Sequence, residues 1–161
     1  MKTRGKLPTM IVLVVLVAAT LIFRLAGRLG VRALGTWRDA ARWGLAAMLL
    51  LTASAHFTAM RHDLVRMIPP IFPAPMLIVY ATGVLELAGA VGLLLPKFLR
   101  AAGVCLAALF TAMFVANIHA SRTGAGMGGQ PPTPMLLRGP MQALFIAIAL
   151  WSSKPAPKKS H

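Results

Sequence analysis

The side chains most able to do chemistry are ionisable groups that interrupt long apolar runs. Glu86 lies about 11 residues into the run 76–95, and therefore about 16 Å deep at 1.5 Å per residue. An ionisable side chain at that depth in a bilayer usually faces other helices and marks a function such as proton transfer. Because an unpaired carboxylate is costly in a medium of low dielectric constant, we expect Glu86 to be protonated and to point into the protein.

Six further polar side chains interrupt the other apolar runs, all towards the same side of the predicted membrane. His56 lies near one end of the second run, with Thr52 one turn deeper on the same helix face. Two more residues end the fourth run, and an i,i+4 pair begins the fifth. Together with Glu86 they form the candidate intramembrane polar site: Thr52, His56, Asn117, His119, Arg138 and Gln142.

Depth along the helices predicts the partners of Glu86. Thr52 lies about 12 Å and Gln142 about 10 Å below the outer surface, so both are within reach of a glutamate that leans outward. His56, about 6 Å deep, would need a bridging water, and Arg138 starts about 11 Å above Glu86. A direct ion pair between Arg138 and Glu86 is therefore not expected.

A purely structural interpretation stands beside the functional one for each of these residues. Glu86 could be a neutral, hydrogen-bonded clip between helices, and Gln142 a hydrogen bond between helices. His56 and His119 could sit at the membrane interface, and Arg138 could extend to lipid head groups.

The sequence offers no pattern for a metal or thiol centre. Cys105 is the single cysteine, so no intrachain disulfide or CxxC pair exists, and we interpret it as a small buried residue. His56 and His119 could be axial haem ligands on neighbouring helices, but their depths differ by about 6 Å, which disfavours haem. We therefore expect no metal and no tightly bound cofactor, with a quinone as the ligand to consider.

Five apolar segments must position these residues. Of 161 residues, 58% are hydrophobic and only 12% charged, which is typical of a membrane protein. The net charge of +14 is spread in short clusters between the apolar runs, which indicates lipid head groups rather than nucleic acid as the anionic partner. A bilayer core of about 30 Å needs about 20 apolar residues, and the candidates are 7–23, 43–60, 76–95, 98–118 and 135–151.

The connections divide the chain into three parts. Residues 1–41 are an N-terminal span with an Arg-rich linker over 24–42, and we favour a retained helix over a cleaved signal peptide because no small-x-small site follows. Residues 42–151 are a four-helix membrane domain, and 152–161 a disordered basic tail. The stretch 61–75 carries the loop motif Pro69, Pro70 and Pro73, which cannot continue a helix. The stretch 121–134 is rich in Gly and Pro and is predicted to be flexible.

Positive charge predicts orientation. Ten of the seventeen Lys and Arg residues fall on the side that holds the 24–42 linker and the C-terminal tail, and seven on the other. Because cytoplasmic loops carry the excess of Lys and Arg, the N-terminus is predicted outside and the C-terminus in the cytoplasm.

Five stretches of the chain resemble the DoxX family of small bacterial membrane proteins. They read AHFTAM (55–60), MIPPIFPAP (67–75), VYATGVLELAGAVGLLLP (79–96), FVANIHA (114–120) and LLRGPMQALFIAIALW (136–151). The family's fold implies an all-α membrane protein with an antiparallel four-helix transmembrane bundle, to which the first segment adds one N-terminal transmembrane helix. The basic turn that the family carries after its second core helix is reduced here to PKFLR.

The resemblance leaves several functions open. Some DoxX members resemble subunits of a thiosulfate:quinone oxidoreductase, and others associate with redox-stress enzymes. This implies a quinone- or lipid-interacting accessory subunit of a redox complex in the bacterial cytoplasmic membrane, without independent catalytic activity. The alternative is a non-enzymatic scaffold or assembly factor. The expected partners are the lipid bilayer and a redox enzyme subunit or a second copy of the chain. A transporter is disfavoured, because four helices with one midplane carboxyl leave little room for alternating access.

Overall fold

The computed structural model describes residues 7–154, with side chains from Met10 onward. The basic residues at either end of the chain that enter the orientation argument, Lys2, Arg4, Lys6, Lys158 and Lys159, lie outside this range. The described residues form six α-helices, one short 3-10 turn at Arg32–Leu34 and no β-strand. The helices are α1 (Leu7–Arg28), α2 (Trp37–Phe57), α3 (Arg61–Met67), α4 (Pro75–Leu94), α5 (Leu99–Thr123) and α6 (Met135–Ser152).

Four helices are long and apolar enough to cross a membrane. These candidate spans are Met10–Arg28, Pro75–Leu94, Leu99–Thr123 and Met135–Ser152. The pair α2 and α3 passes the same test only when taken together, and the two helices meet at a bend of 90°. By length and composition, the described chain therefore has four candidate spans, or five if the bent pair is one broken span.

Helix α2 begins six residues before the predicted start of the second span, so the 24–42 linker is shorter than predicted. Thr36 accepts a hydrogen bond from the Asp39 backbone N–H, and the Asp39 carboxylate accepts one from the Thr36 N–H. This capping box satisfies two backbone donors at the helix start and stabilises the charged first turn. Because this turn is not part of the apolar run, hydropathy alone did not place it in the helix. Helix α1 also continues past residue 23, to Arg28.

The stretch predicted as a Pro-rich connection contains a helix. Residues Arg61–Met67 form the two turns of α3, and the chain becomes extended only at Ile68, before Pro69. A residue that precedes proline is driven out of the helical region, which explains why α3 ends there. Pro75 occupies the first turn of α4, where its missing N–H is tolerated.

The apolar core lies between α2, α4, α5 and α6, with α1 packed along α2. In α1, Leu16 is the only described side chain that is fully buried. Small residues bring α4 close to two neighbours. A Cβ added at Gly83 would lie 2.6 Å from the Cβ of His56 in α2, and one at Gly89 would overlap Leu106 in α5. The close approach places Glu86, between these glycines, inside the protein.

Cys105 is exposed, so the prediction of a buried residue was wrong. It lies on the face of α5 that points away from the other helices. In a chain whose outer surface is largely apolar, hydrophobic neighbours in the sequence do not distinguish an inward from an outward position.

Candidate functional site

A cavity of about 310 Å³ brings together six of the seven predicted polar residues. All six helices and the loop between α5 and α6 contribute to its wall, and most of the lining side chains are apolar. This volume lies at the lower end of the range of about 300–1,000 Å³ that is typical of small-molecule sites. The six predicted residues in the wall are Thr52, His56, Glu86, Asn117, Arg138 and Gln142, and two further polar residues, Ser54 and Thr133, also line it.

Glu86 is 2% exposed and is bonded to α2. The Thr52 hydroxyl donates a hydrogen bond of 2.7 Å to its Oε2 atom, as helix depth predicted. The carboxyl group therefore joins α4 to α2 while facing the cavity. A carboxyl group in this position can act both as an interhelical clip and as a proton carrier.

His56 is 3% exposed and lies one turn beyond Thr52. Its Nδ1 atom is 3.2 Å from the Thr52 backbone carbonyl. Because a carbonyl can only accept, Nδ1 carries a hydrogen, and Nε2 of the neutral ring is then an acceptor. The tight packing of Gly83 against the Cβ of His56 fixes the position of the ring at the cavity wall.

Arg138 and Gln142 connect α6 to α5 in the wall of the same cavity. The Nη2 atom of Arg138 donates to Asn117 Oδ1 at 2.6 Å. Gln142 donates through Nε2 to the backbone carbonyl of Phe110. The prediction that Gln142 is a partner of Glu86 was therefore wrong, whereas its interpretation as a hydrogen bond between helices is confirmed.

His119 does not reach this cavity. It lines a second, open hollow of about 790 Å³, together with Pro70 and Arg66. The rotation of about 200° between positions 117 and 119 explains the separation: when Asn117 is buried against α6, His119 must point elsewhere. The two histidines considered as haem ligands thus border different hollows.

The proline motif does not line the cavity. Pro70 lines the open hollow, while Pro69 and Pro73 line neither space. The carbonyl of Pro69 accepts a hydrogen bond from the Phe72 N–H at 3.1 Å, which turns the chain between α3 and α4.

Two features of the cavity wall were not predicted from the sequence. The loop between α5 and α6, predicted to be flexible, covers one end of the cavity and is tied to α3, where Asp63 Oδ2 accepts the backbone N–H of Gly128 at 2.7 Å. Six methionines also line the wall, and they are Met48, Met60, Met67, Met113, Met127 and Met141. Each of the six lies in a different helix or connection, so no single helix face carries the signal.

No cluster of three or more His, Cys, Asp or Glu side chains suited to a metal ion occurs within residues 7–154. The cavity instead combines an apolar volume, a guanidinium, an imidazole and a carboxyl group. This set can hold a molecule with an apolar body and a polar head, and it can exchange protons with that head.

A protein-family model matches more than half of the chain. The model for a domain of unknown function, DUF8561, matches residues 45–153. The chain belongs to this family. The DUF8561 region begins within α2 and ends just after α6, so it holds all the polar residues of the cavity wall, and α1 lies outside it. No curated protein and no solved structure matches the chain.

Proposed function

We propose that this chain is a DoxX-like accessory subunit of a redox complex in the bacterial cytoplasmic membrane, and that it binds a quinone or a lipid in its cavity. The observation that carries the proposal is the cavity of about 310 Å³ that gathers six polar side chains from α2, α4, α5 and α6 in a mostly apolar wall. Membrane quinones and lipids have the matching form, with a polar head on an apolar chain.

The proposed arrangement in the membrane is an antiparallel bundle of α2, α4, α5 and α6, with α1 as an additional span, an outside N-terminus and a cytoplasmic C-terminus. Contacts at one end of the molecule support a common interface there. The Arg38 guanidinium lies 5.9 Å from the Trp151 ring centroid, and Arg42 donates to the Ser152 carbonyl at 3.2 Å. Arginine and tryptophan side chains are typical of the boundary between hydrocarbon and head groups.

The proposed chemistry centres on Glu86. Reduction of a quinone takes up two electrons and two protons, and the electrons would come from the partner redox enzyme. The neutral carboxyl group of Glu86 could deliver one of these protons to the bound ring, while the second proton and the reprotonation of Glu86 would come from water. His56 lines the same cavity wall. An infrared band of a protonated carboxyl group at pH 7 that disappears in Glu86→Gln would support this role, and a band of an ionised carboxylate at residue 86 would contradict it.

The second candidate is a non-enzymatic scaffold, and a specific observation favours it. Glu86, Arg138 and Gln142 each form a hydrogen bond to a neighbouring helix. Polar side chains between membrane helices stabilise packing by about 0.6–1.7 kcal/mol each. In this interpretation the polar residues only hold the bundle together.

Glu86→Gln separates the two candidates. The glutamine carbonyl oxygen still accepts from Thr52, so the variant should fold and melt like the parent chain in both cases. The redox interpretation predicts that cells carrying Glu86→Gln become more sensitive to redox stress than cells carrying the parent chain. It also predicts that quinone or lipid is recovered from the parent protein purified in mild detergent. An unchanged phenotype and a protein free of quinone and lipid would favour the scaffold.

A further inference from the structure

Arg138 is a cation at the wall of an apolar cavity. Its side chain is partly buried, and a guanidinium remains charged at any physiological pH. The hydrogen bond to Asn117 uses one of its five N–H donors. The bond is to a neutral amide, so it orients the guanidinium without neutralising it.

The chain has no side-chain carboxylate left to pair with this cation. It contains three acidic residues, and all of them are described. Asp39 and Asp63 each pair with an arginine three residues further along the chain. Glu86 accepts from Thr52, and no ion pair joins it to Arg138 within residues 7–154. A partly buried charge without a counter-charge is costly, so an anion from outside the chain would be favoured beside Arg138.

We propose that the cavity binds an amphiphile with an anionic head group, a carboxylate or a phosphate, which pairs with the Arg138 guanidinium. The guanidinium fork matches both groups and can donate two parallel hydrogen bonds to either. This inference rests on the proposed function, since it names the class of lipid that the membrane cavity selects.

The rest of the wall argues for an apolar tail on the same ligand. Beyond the polar residues, the wall consists mainly of methionines and other apolar side chains, and Ile11 and Val12 of α1 close one side. Methionine is flexible and packs against irregular apolar shapes. A free inorganic anion would leave most of this surface uncovered, whereas an acyl chain would fill it.

Native mass spectrometry of the full chain in neutral detergent tests the head-group charge with matched ligands. The probes are oleate against oleyl alcohol, phosphatidylglycerol against phosphatidylcholine, and inorganic phosphate alone. We expect one bound oleate or phosphatidylglycerol per chain, and a preference over the neutral partner that falls by about tenfold or more in Arg138→Gln. Inorganic phosphate should not displace either ligand.

Two variants make the result specific to Arg138. Arg138→Lys keeps the positive charge and should keep the preference, which ties any loss in Arg138→Gln to the missing charge. Continued binding of oleyl alcohol by Arg138→Gln shows that this variant folds. Arg122→Gln removes an exposed cation at the end of α5 and should leave the preference unchanged. A preference that survives in Arg138→Gln, or that is lost equally in Arg122→Gln, would overturn the inference, as would displacement by inorganic phosphate.

The outcomes also separate this inference from the proposed function. A parent chain that binds oleate and oleyl alcohol equally well would retain a lipid-binding cavity and refute only the anionic head group. A chain that binds none of the amphiphiles would refute both.

Discussion

At the scale of single residues, the bond between Thr52 and Glu86 links the two helices that carry the centre of the site. The donor and acceptor are 2.7 Å apart, and Glu86 is almost fully buried. Thr52→Val keeps the shape of the side chain but removes the donor, so the free energy of unfolding should fall by about 0.6–1.7 kcal/mol. Thr52→Ser retains the hydroxyl and should lose less. Denaturation in mixed micelles measures both, and equal losses would show that the hydroxyl contributes nothing.

The close approach of α4 to α2 also depends on one residue. A methyl group at Gly83 would lie 2.6 Å from the Cβ of His56, so Gly83→Ala should separate the helices and destabilise the protein by about 1–3 kcal/mol. Gly139 in α6 has no atom within 4 Å of the corresponding position apart from its chain neighbours, so Gly139→Ala should cost less than Gly83→Ala, although the following Pro140 disfavours any side chain there. Equal thermal stability of the two variants would contradict this account of the helix contact.

Residue depth along a helix predicted some partners and not others. Thr52 and Glu86 could be matched because both carry side-chain groups at similar depth in helices that the apolar runs define. Gln142 could not be assigned, because its acceptor is the backbone carbonyl of Phe110, and every residue has such a carbonyl. Helix geometry alone is enough to show that Asn117, which accepts from Arg138, and His119 point in different directions.

At the scale of elements, α3 and the loop between α5 and α6 form the cover of the cavity. The Asp63 carboxylate fastens the loop through the Gly128 N–H. Asp63→Ala should therefore increase hydrogen exchange at the Gly128 amide by roughly five- to tenfold, the effect of losing a bond of about 1–1.5 kcal/mol. Asp39→Ala, which disrupts the cap of α2, should leave exchange at Gly128 unchanged. If exchange at Gly128 is the same in both variants, the loop is not held by Asp63.

Apolar runs located the long helices but not the elements that carry charge. α4 and α6 begin and end within one residue of their predicted limits. The start of α2 and the whole of α3 are rich in arginine, so hydropathy does not identify them, and a local signal such as the Thr36 capping box must be read instead. The loop between α5 and α6 appeared flexible from its Gly and Pro content, because its tie to α3 spans 65 residues and leaves no local pattern.

At the scale of the whole molecule, arginine and tryptophan side chains collect where α1 and α6 end and α2 begins. The Arg24 guanidinium lies 5.4 Å from the centre of the Trp37 ring, and Arg38 contacts Trp151. We predict that this end faces the cytoplasm. In a chain without Cys105, a cysteine at Ser160 should resist a membrane-impermeant thiol reagent in intact cells and react after lysis. Labelling in intact cells would mean that the orientation is inverted.

The cavity itself is a property of the whole molecule that the sequence predicted only in part. Five of its polar residues were chosen because ionisable and amide groups are conspicuous in apolar runs, and Thr52 because it lies one turn from His56 on the same helix face. Its methionines and loop residues come from separate elements and meet only once the helices have packed. The volume between helices depends on side-chain packing, which hydropathy and spacing do not determine.

The most direct test of a ligand-binding cavity is to fill it. Met113 lines the cavity, whereas Val115, two residues along α5 and about 200° around the helix, is 49% exposed on the outer surface. The measurement is the amount of quinone and lipid that remains bound per chain after purification in mild detergent, quantified by mass spectrometry for Met113→Trp and Val115→Trp. We predict that Met113→Trp loses most of the bound ligand while Val115→Trp keeps it. Equal retention in the two variants would contradict a binding site in the cavity.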